Sequence, residues 1–428
     1  MTISPSSAPA PTSGSRAVWA LALLAVVNLV SYLERSVVFA LFDPIKADLG
    51  LNDAELGLFA SAYILVYSVA ALPLGVLGDL RSRKLVVAGG VVLMAVFTSA
   101  SAVVTGFLAL LVCRALIGVG GAAAGSPAAS LVADYFPGRR RGVAMAVFMA
   151  GPPLGGVLGI VAGGYLVTEY GWRPALGLLG LPFLVLAGLM LLLREPARRE
   201  LAPQRSIGAA FGELWRSVQI VRGVPTLAFV FLGGTMISFG VNGLAGWAPT
   251  YMAREMGIPI DRVAILLGQY GLIFGVAGTL AGGLLADRLR RRTPAGRVII
   301  AGLGVLLGAP LIMYLITIRE LSVFLPVFCA AFFFLSWYIG PLTAVMFDVV
   351  PAAIGSTVLG AYFLFIHFAG DAVAFPLVGL LSDRFGLSRA MLVLPAVAFF
   401  GGLVVLGAML TVRQDMARLQ AEATPAGG

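Results

Sequence analysis

The segment LGVLGDLRSRK at residues 74–84 returns in altered form as GGLLADRLRRR at residues 282–292. Each copy reads glycine, two apolar residues, a small residue, aspartate and then a basic cluster, and each follows a long apolar stretch. A second echo pairs DYFP at 134–137 with DVVP at 348–351. Because both echoes recur about 210 residues apart at equivalent places, they predict a duplicated unit. Duplicated units of membrane helices are typical of transporters.

The composition is that of a chain whose surface lies mostly in lipid. Of 428 residues, 60% are hydrophobic and 11% are charged, whereas a soluble domain carries about 25% charged residues. A helix that spans a bilayer needs about 20 mostly apolar residues, and its backbone groups must be satisfied internally. We therefore predict an all-α polytopic membrane protein. Its twelve transmembrane helices are expected at residues 17–43, 55–78, 85–104, 106–133, 142–168, 173–193, 225–251, 262–286, 297–317, 320–348, 355–381 and 388–411.

The net charge of +9 reflects membrane topology and contact with anionic lipid rather than binding of nucleic acid. With the N-terminus in the cytoplasm, most of the 29 Lys and Arg residues fall in cytoplasmic loops. Such loops carry the basic excess in membrane proteins. We therefore expect both termini in the cytoplasm, in the inner (plasma) membrane of a bacterium.

The longest polar stretch, residues 194–224, divides the twelve spans six and six. It predicts a cytoplasmic linker, in which about 207–221 could form an amphipathic helix on the membrane surface. The predicted organisation is a disordered cytoplasmic tail at 1–16, a six-helix bundle at 17–193, the linker at 194–224, a second six-helix bundle at 225–411 and a cytoplasmic tail at 412–428.

On the repeated loop the chain resembles the major facilitator superfamily. Gly75, Asp79, Arg83 and Lys84 carry the resemblance, although Leu80 and Ser82 depart from the usual pattern. The resemblance implies two pseudo-symmetric six-helix halves, alternating access and a latch that holds the cytoplasmic side shut. An Asp at a helix end could pair with Arg83 and face a neighbouring helix N-terminus. The residues assigned to the latch are Gly75, Asp79, Arg83, Lys84, Asp134, Arg139, Asp287 and Arg291, with Gly283 and Arg292 completing the second copy.

Three further stretches resemble the Spinster family: SYLER at 31–35, GLAGWAPTYMAR at 243–254 and HFAGDAVAFPLVGLLSD at 367–383. This resemblance implies an amphipathic lipid substrate, such as a lysophospholipid or a sphingosine-phosphate-like molecule. One departure is Gly121, which stands where the family has a glutamate. In the fifth span, GPPLGG at 151–156 resembles a motif of proton-coupled antiporters, and its proline pair should bend the helix.

Charged residues inside the spans are candidates for function, because each costs about 2.5–3.5 kcal/mol at the bilayer centre on insertion scales. They are Glu34, Arg35, Arg114, His367 and Asp371. At 1.5 Å per residue, these groups and Asn242 reach a similar depth. We therefore expect one central site.

Within that site, Glu34 and Arg35 point about 100° apart on the first helix, so they do not neutralise each other. Our hypothesis is that Arg35 and Arg114 hold an anionic head group while Glu34 and Asp371 carry coupling protons. The predicted substrate-binding residues are Asn28, Tyr32, Arg35, Arg114, Asn242, Trp247, Tyr251 and His367.

Alternatives remain for each group. Glu34 and Arg114 could form a structural pair, His367 and Asp371 (i, i+4) a locally satisfied pair, and Trp247 and Tyr251 anchors at the membrane interface. The substrate could instead be a hydrophilic organic anion or a drug. One histidine in the chain and no cysteine cluster or phosphate loop argue against an enzyme and a metal site. We expect a secondary transporter without cofactors that acts as a monomer with protons, lipids and a small substrate as partners.

Overall fold

A computed structural model describes residues 14–138, 140–196, 208, 212 and 219–423. The predicted N-terminal tail up to residue 13, the latch residue Arg139, most of the linker with its amphipathic helix, and residues 424–428 lie outside these. Within the described residues, twelve helices are long and apolar enough to cross a membrane, which confirms the predicted all-α architecture. They are α1 (Gly14–Ala40), α2 (Asp53–Leu80), α3 (Arg83–Ala100), α4 (Phe107–Tyr135), α5 (Arg140–Tyr170), α6 (Trp172–Leu192), α7 (Pro225–Met256), α8 (Ile260–Arg290), α9 (Gly296–Leu315), α10 (Leu321–Val349), α11 (Ile354–Phe385) and α12 (Leu387–Leu410).

An even number of crossings places the start of α1 and the end of α12 on the same side of the bundle. We call this the near side, and the opposite one the far side. A further helix, α13 (Val412–Ala423), follows α12 on the near side. Its Asp415 carboxylate accepts a hydrogen bond from the backbone N–H of Thr226 at 2.9 Å, which caps the start of α7.

Local sequence explains where helices begin and end, as the start of α2 and the end of α7 show. Before α2, the Asn52 side chain accepts from the Glu55 backbone N–H at 2.8 Å, and the Glu55 carboxylate accepts from Asn52 N–H at 2.9 Å. This reciprocal capping box satisfies two N–H groups that have no partner inside the helix. At the far end of α7, Gly257 adopts φ +65°, a left-handed conformation that glycine accepts without steric cost.

The helix pair α1–α5 packs at backbone contact because α5 carries glycine on one face. A Cβ built on Gly155 would stand 2.1 Å from the Leu29 carbonyl oxygen, and one on Gly159 would stand 2.3 Å from that of Leu33. The helix is interrupted at Ala150, just before the proline pair at which a bend was predicted. Such small-residue faces let membrane helices approach closely.

The duplication is visible in two equivalent ion pairs. Arg83 at the start of α3 binds Asp134 at the end of α4, and Arg297 at the start of α9 binds Asp348 at the end of α10 at 2.6 Å. Both pairs join residues 51 positions apart. The second echo, DYFP and DVVP, therefore supplies equivalent carboxylates in the two halves. The predicted equivalence of Arg291 to Arg83 is wrong, because Arg297 makes the contact and Arg291 is exposed.

The two halves meet closely on the far side. Between α2 and α11, a Cβ on Gly57 would lie 2.3 Å from the Phe375 carbonyl oxygen, and one on Gly379 would lie 2.1 Å from that of Asp53. Between α5 and α8, a Cβ on Gly164 would lie 2.9 Å from the Ile260 carbonyl oxygen. Contacts this close leave no passage between these helices, so the far side is closed in this conformation.

Candidate functional site: two buried carboxylates and a bridging arginine

Glu34 and Arg35 are neighbours on α1 but enter different environments. The Glu34 carboxylate binds Arg114 Nη1 of α4 at 2.7 Å, and both side chains are buried. The Arg114 guanidinium also donates to the Arg35 backbone carbonyl at 2.7 Å. The predicted divergence of the two α1 charges is therefore present, and Glu34 serves the N-terminal half alone.

Aromatic rings complete the surroundings of Arg114. Its Cζ atom lies 4.9 Å from the centre of the Tyr63 ring and 5.6 Å from that of Phe59. With Glu34, backbone carbonyls and two rings around it, this guanidinium has no open face toward a substrate. The expectation that Arg35 and Arg114 share one cationic pocket is wrong, because Arg114 is neutralised inside the helix bundle.

A second buried carboxylate, Asp371, organises the C-terminal half. It accepts hydrogen bonds from the Ser238 hydroxyl and from Asn242 Nδ2 at 3.0 Å, both on α7. His367 Nδ1 lies 2.6 Å from Asp371 Oδ2, which confirms that the two residues share a face. Residues 366–371 form a π-helical turn inside α11, and such turns occur frequently at functional sites.

Arg35 joins the two halves at this level. Its Nη2 lies 3.6 Å from Asp371 Oδ2, and its side chain is 16% exposed. The Arg35 guanidinium also lies 5.7 Å from the centre of the Tyr32 ring, and Tyr32 is itself partly exposed. Groups from α1, α7 and α11 therefore meet at one depth, as predicted, and Arg35, unlike the buried Arg114, is partly exposed.

Three residues predicted to bind substrate are engaged elsewhere. Asn28 Nδ2 donates to the Phe148 carbonyl at 2.9 Å, which is the carbonyl that Pro152 leaves without an N–H partner four residues later. The Trp247 indole is buried on the far side and donates to the Phe375 carbonyl at 3.2 Å. The Tyr251 hydroxyl donates to the Ile316 carbonyl at 2.5 Å. The assignment of these three to the substrate pocket is wrong for this conformation.

On the far side, a cluster of ion pairs and hydrogen bonds holds the two halves together. None of its residues was predicted to be functional from the sequence. Arg254, at the end of α7, donates to Asp43 at 2.6 Å and to both oxygens of Asp53 at 2.8 and 3.0 Å. The buried Asp53 also accepts from Ser382 at 2.6 Å. The Asp383 carboxylate of α11 accepts from the first two backbone N–H groups of α2, both at 2.9 Å. These contacts join the two halves.

On the near side, Arg83 binds residues of the N-terminal half and Glu195 just after it. It contacts Asp134, Ser130 at 2.9 Å and, through its backbone N–H, Glu195 at 2.8 Å. Burial alone would raise the pKa of the Glu195 carboxyl. Hydrogen bonds from the Ser82 hydroxyl and from Arg83 outweigh that effect and hold this pKa below its ordinary value.

The other latch residues differ from expectation. The predicted pairing of Asp79 with Arg83 is wrong, and Asp79 makes no ion pair with a described residue. Lys84 donates to the Leu191 carbonyl at 3.2 Å, and Asp287 binds Arg297 at 3.0 Å. A Cβ on Gly75 would lie 3.3 Å from the Ser126 hydroxyl of α4.

The glycine that departs from the family pattern has a structural partner. A Cβ on Gly121 would stand 2.3 Å from the Tyr63 hydroxyl oxygen, so this phenol occupies the space that a side chain at position 121 would need. Tyr63 and Ser238 were not predicted to be functional. The only sequence feature that could have identified them is that each is a polar or ionisable residue inside a span. Their spacing gave no indication of which cluster each would join.

The fold and this site define a membrane transporter built from two six-helix halves. The chain belongs to the Major Facilitator Superfamily, whose family model matches residues 24–370. Its relatives include human "Protein spinster homolog 1", which is 27% identical over 442 aligned positions covering 95% of this chain and 83% of the relative. An "MFS-type efflux pump" of Mycolicibacterium smegmatis is 28% identical over 400 positions, 90% of each chain.

Solved structures agree on the fold. The crystal structure of a bacterial homolog to the human lysosomal transporter Spinster, in an inward-facing and unoccupied conformation, matches with a TM-score of 0.85 at 20% identity. That match covers 94% of this chain and 99% of the other. The chain is thus a transporter of this superfamily that is related to Spinster proteins, and membership in a transporter family supports the expectation that it is not an enzyme.

Proposed function

We propose that this protein is a proton-coupled secondary transporter of an amphipathic anionic or zwitterionic lipid, such as a lysophospholipid or a sphingosine-phosphate-like molecule. The observation that carries the proposal is Arg35, a partly exposed cation that contacts Asp371 across the two halves. A cation at mid-depth is suited to a phosphate or carboxylate head group. The relationship to Spinster homologs adds support for a lipid as the substrate.

Transport would be coupled to protons because the Asp371 carboxylate and an anionic head group compete for Arg35. When Asp371 is ionised, Arg35 has a carboxylate partner. When Asp371 takes a proton, the guanidinium loses that partner and becomes available to an anionic head group. The hydrogen bonds of Asp371 to Ser238 and Asn242 keep the carboxyl in place in both states, and His367 offers a route for the proton because it is partly exposed. Glu34 is the second candidate carrier, through its pair with Arg114.

The conformation supports alternating access as the transport mode. The halves are joined on the far side, while the Arg83 and Arg297 clusters on the near side each stay within one half. Asp79 would then form an ion pair as part of the latch only when the near side closes. We assign the near side to the cytoplasm from the distribution of basic loops, and we place the protein in a bacterial inner membrane as a monomer.

A hydrophilic organic anion or a drug is the second candidate substrate. One relative is named an efflux pump, and the glycine-rich motif of α5 points the same way. Both candidates use Arg35 as the anion contact. They differ in whether an apolar tail is required.

Native mass spectrometry of the purified protein, followed by flux into proteoliposomes with and without a pH gradient, tests the proposal. We expect a co-purified lipid, uptake that depends on the gradient, and loss of uptake in Arg35→Gln. Asp371→Asn should bind substrate but no longer respond to the gradient. The matched control is Arg173→Gln, which removes a far-side ion pair with Asp48 at 2.8 Å away from the site. Gradient-driven uptake that survives in both Arg35→Gln and Asp371→Asn contradicts the assignment.

A further inference from the structure

Tyr63 lies between the two charge clusters of the site. Its phenol interacts electrostatically with Glu34, Arg114 and Arg35. Its ring covers the Arg114 guanidinium at 4.9 Å. The Tyr63 ring also stacks on the Tyr67 ring, with ring centres 5.9 Å apart and planes inclined by 14°. Tyr63 is buried, whereas Tyr67 is partly exposed.

Two glycines of α4 pack against Tyr63, Gly118 against its backbone and Gly121 against its hydroxyl. A Cβ on Gly118 would lie 2.6 Å from the Tyr63 carbonyl oxygen, and a Cβ on Gly121 would lie 2.3 Å from its hydroxyl. Gly125, one turn further along α4, packs against the neighbouring tyrosine in the same way: a Cβ there would lie 3.2 Å from the Tyr67 hydroxyl. The approach at Gly118 fixes the α2 backbone at Tyr63, because a neighbouring backbone cannot move aside without displacing the helix.

We infer that Tyr63 is a positioning residue that shields the buried Glu34–Arg114 pair from the partly exposed region around Arg35 and Tyr67. This seal requires the ring, which covers the guanidinium, and it requires glycine at position 121, which leaves room for the hydroxyl. It separates two functions that α1 places on adjacent residues: Arg35 stays partly exposed while Glu34 remains buried. A cation held against an aromatic face is also stabilised there.

This inference rests on the proposed function only for the role it gives Glu34. The seal itself can be measured without transport. In detergent-purified protein, a water-soluble carbodiimide with an amine nucleophile modifies carboxyl groups that water can reach, and peptide mass spectrometry reports the modification of Glu34. The exposed Asp383 serves as the internal reference for reagent activity.

We expect Glu34 to be protected in the unsubstituted protein and in Tyr63→Phe, because phenylalanine retains the ring. In Tyr63→Leu the modification rate of Glu34 should rise about tenfold or more, the order expected when a desolvated cation–aromatic contact is lost. The matched control is Tyr362→Leu. Tyr362 is an equally buried tyrosine of the other half whose hydroxyl lies 2.3 Å from the Cβ position of Gly234, and its loss should leave Glu34 protected.

A second pair of variants keeps the test valid if Tyr63→Leu fails to fold. Gly121→Ala should displace the phenol and expose Glu34. Combination with Tyr63→Phe should restore protection, because the nearest remaining ring atom then lies 3.1 Å away. Protection of Glu34 in Tyr63→Leu, equal exposure in Tyr362→Leu, or absence of rescue in the double variant overturns the inference. If labelling follows expectation but Glu34→Gln transports with normal coupling, the seal stands and the proton role proposed for Glu34 fails.

Discussion

Replacing Arg254 by glutamine should shift the protein toward a state that is open on the far side. Arg254 joins the halves through Asp43, in the short helix Phe42–Leu49, and through Asp53 at the start of α2. These contacts must break when α7 moves away from that segment. The substitution therefore destabilises the far-closed state and leaves the far-open state unaffected. Glutamine preserves much of the side-chain length but carries no charge.

The size of the shift follows from the exposure of the partners. A hydrogen bond to a charged group contributes about 1.5–3 kcal/mol, but Arg254 is 24% and Asp43 is 38% exposed. The Asp43 contact is therefore screened and counts for about 0–1 kcal/mol. The contact with Asp53, whose side chain is 4% exposed, dominates. We expect a loss of about 2–3 kcal/mol, partly offset because Asp53 keeps Lys46 and Ser382. That loss corresponds to a change of about 30- to 150-fold in the ratio of the two states.

Double electron–electron resonance can measure this ratio. Spin labels at Val103 and Thr317 report the far side, because both residues are exposed in far-side loops of opposite halves. The buried cysteines Cys113 and Cys329 are first replaced by alanine. In Arg254→Gln the population at long label distances should grow by the stated factor.

The matched control for this measurement is Arg173→Gln. It removes an ion pair on the same side, with Asp48 at 2.8 Å, but both residues belong to the N-terminal half. Its distance distribution should stay unchanged. If Arg254→Gln leaves the distribution unchanged as well, or if Arg173→Gln opens the far side equally, the reasoning about the cross-half lock is refuted.

Three smaller predictions concern stability, measured by thermal unfolding in detergent. Gly155→Ala should destabilise the α1–α5 contact by about 1–3 kcal/mol, whereas Gly283→Ala should not, since a Cβ there meets nothing within 4 Å; equal midpoints would contradict the packing argument. Asn28→Ala should cost about 1–3 kcal/mol by leaving the Phe148 carbonyl unpaired, and an unchanged midpoint would count against that role. The lowered pKa of Glu195 means that its stabilisation is complete above its ordinary pKa and is lost as the pH falls through the lowered value. The unfolding midpoint of Glu195→Gln should therefore fall less than that of the unsubstituted protein below about pH 4. Equal pH profiles would disprove the role given to Glu195.

The number, length and order of the spans could be predicted from the chain because lipid imposes a local requirement. Each crossing must be long and apolar, and each is legible in a single stretch of about 20 residues. The pairing of His367 with Asp371 was equally local, since residues four apart on a helix share a face. The duplication was predictable for a related reason: repeated loops leave matching short motifs.

Partners between helices could not be predicted in this way. Arg114 was expected to serve the cavity, but tertiary packing places Glu34 and Tyr63 around it and leaves that role to Arg35. The equivalent of Arg83 was expected at Arg291 and lies at Arg297.

The sequence by itself thus determined twelve helices, two halves and the buried charges, because burial in lipid depends on each segment separately. Only the tertiary structure decided which charge meets which. A buried charge takes the partner that helix crossing and glycine contacts bring within about 3 Å, and that distance is a property of two helices together.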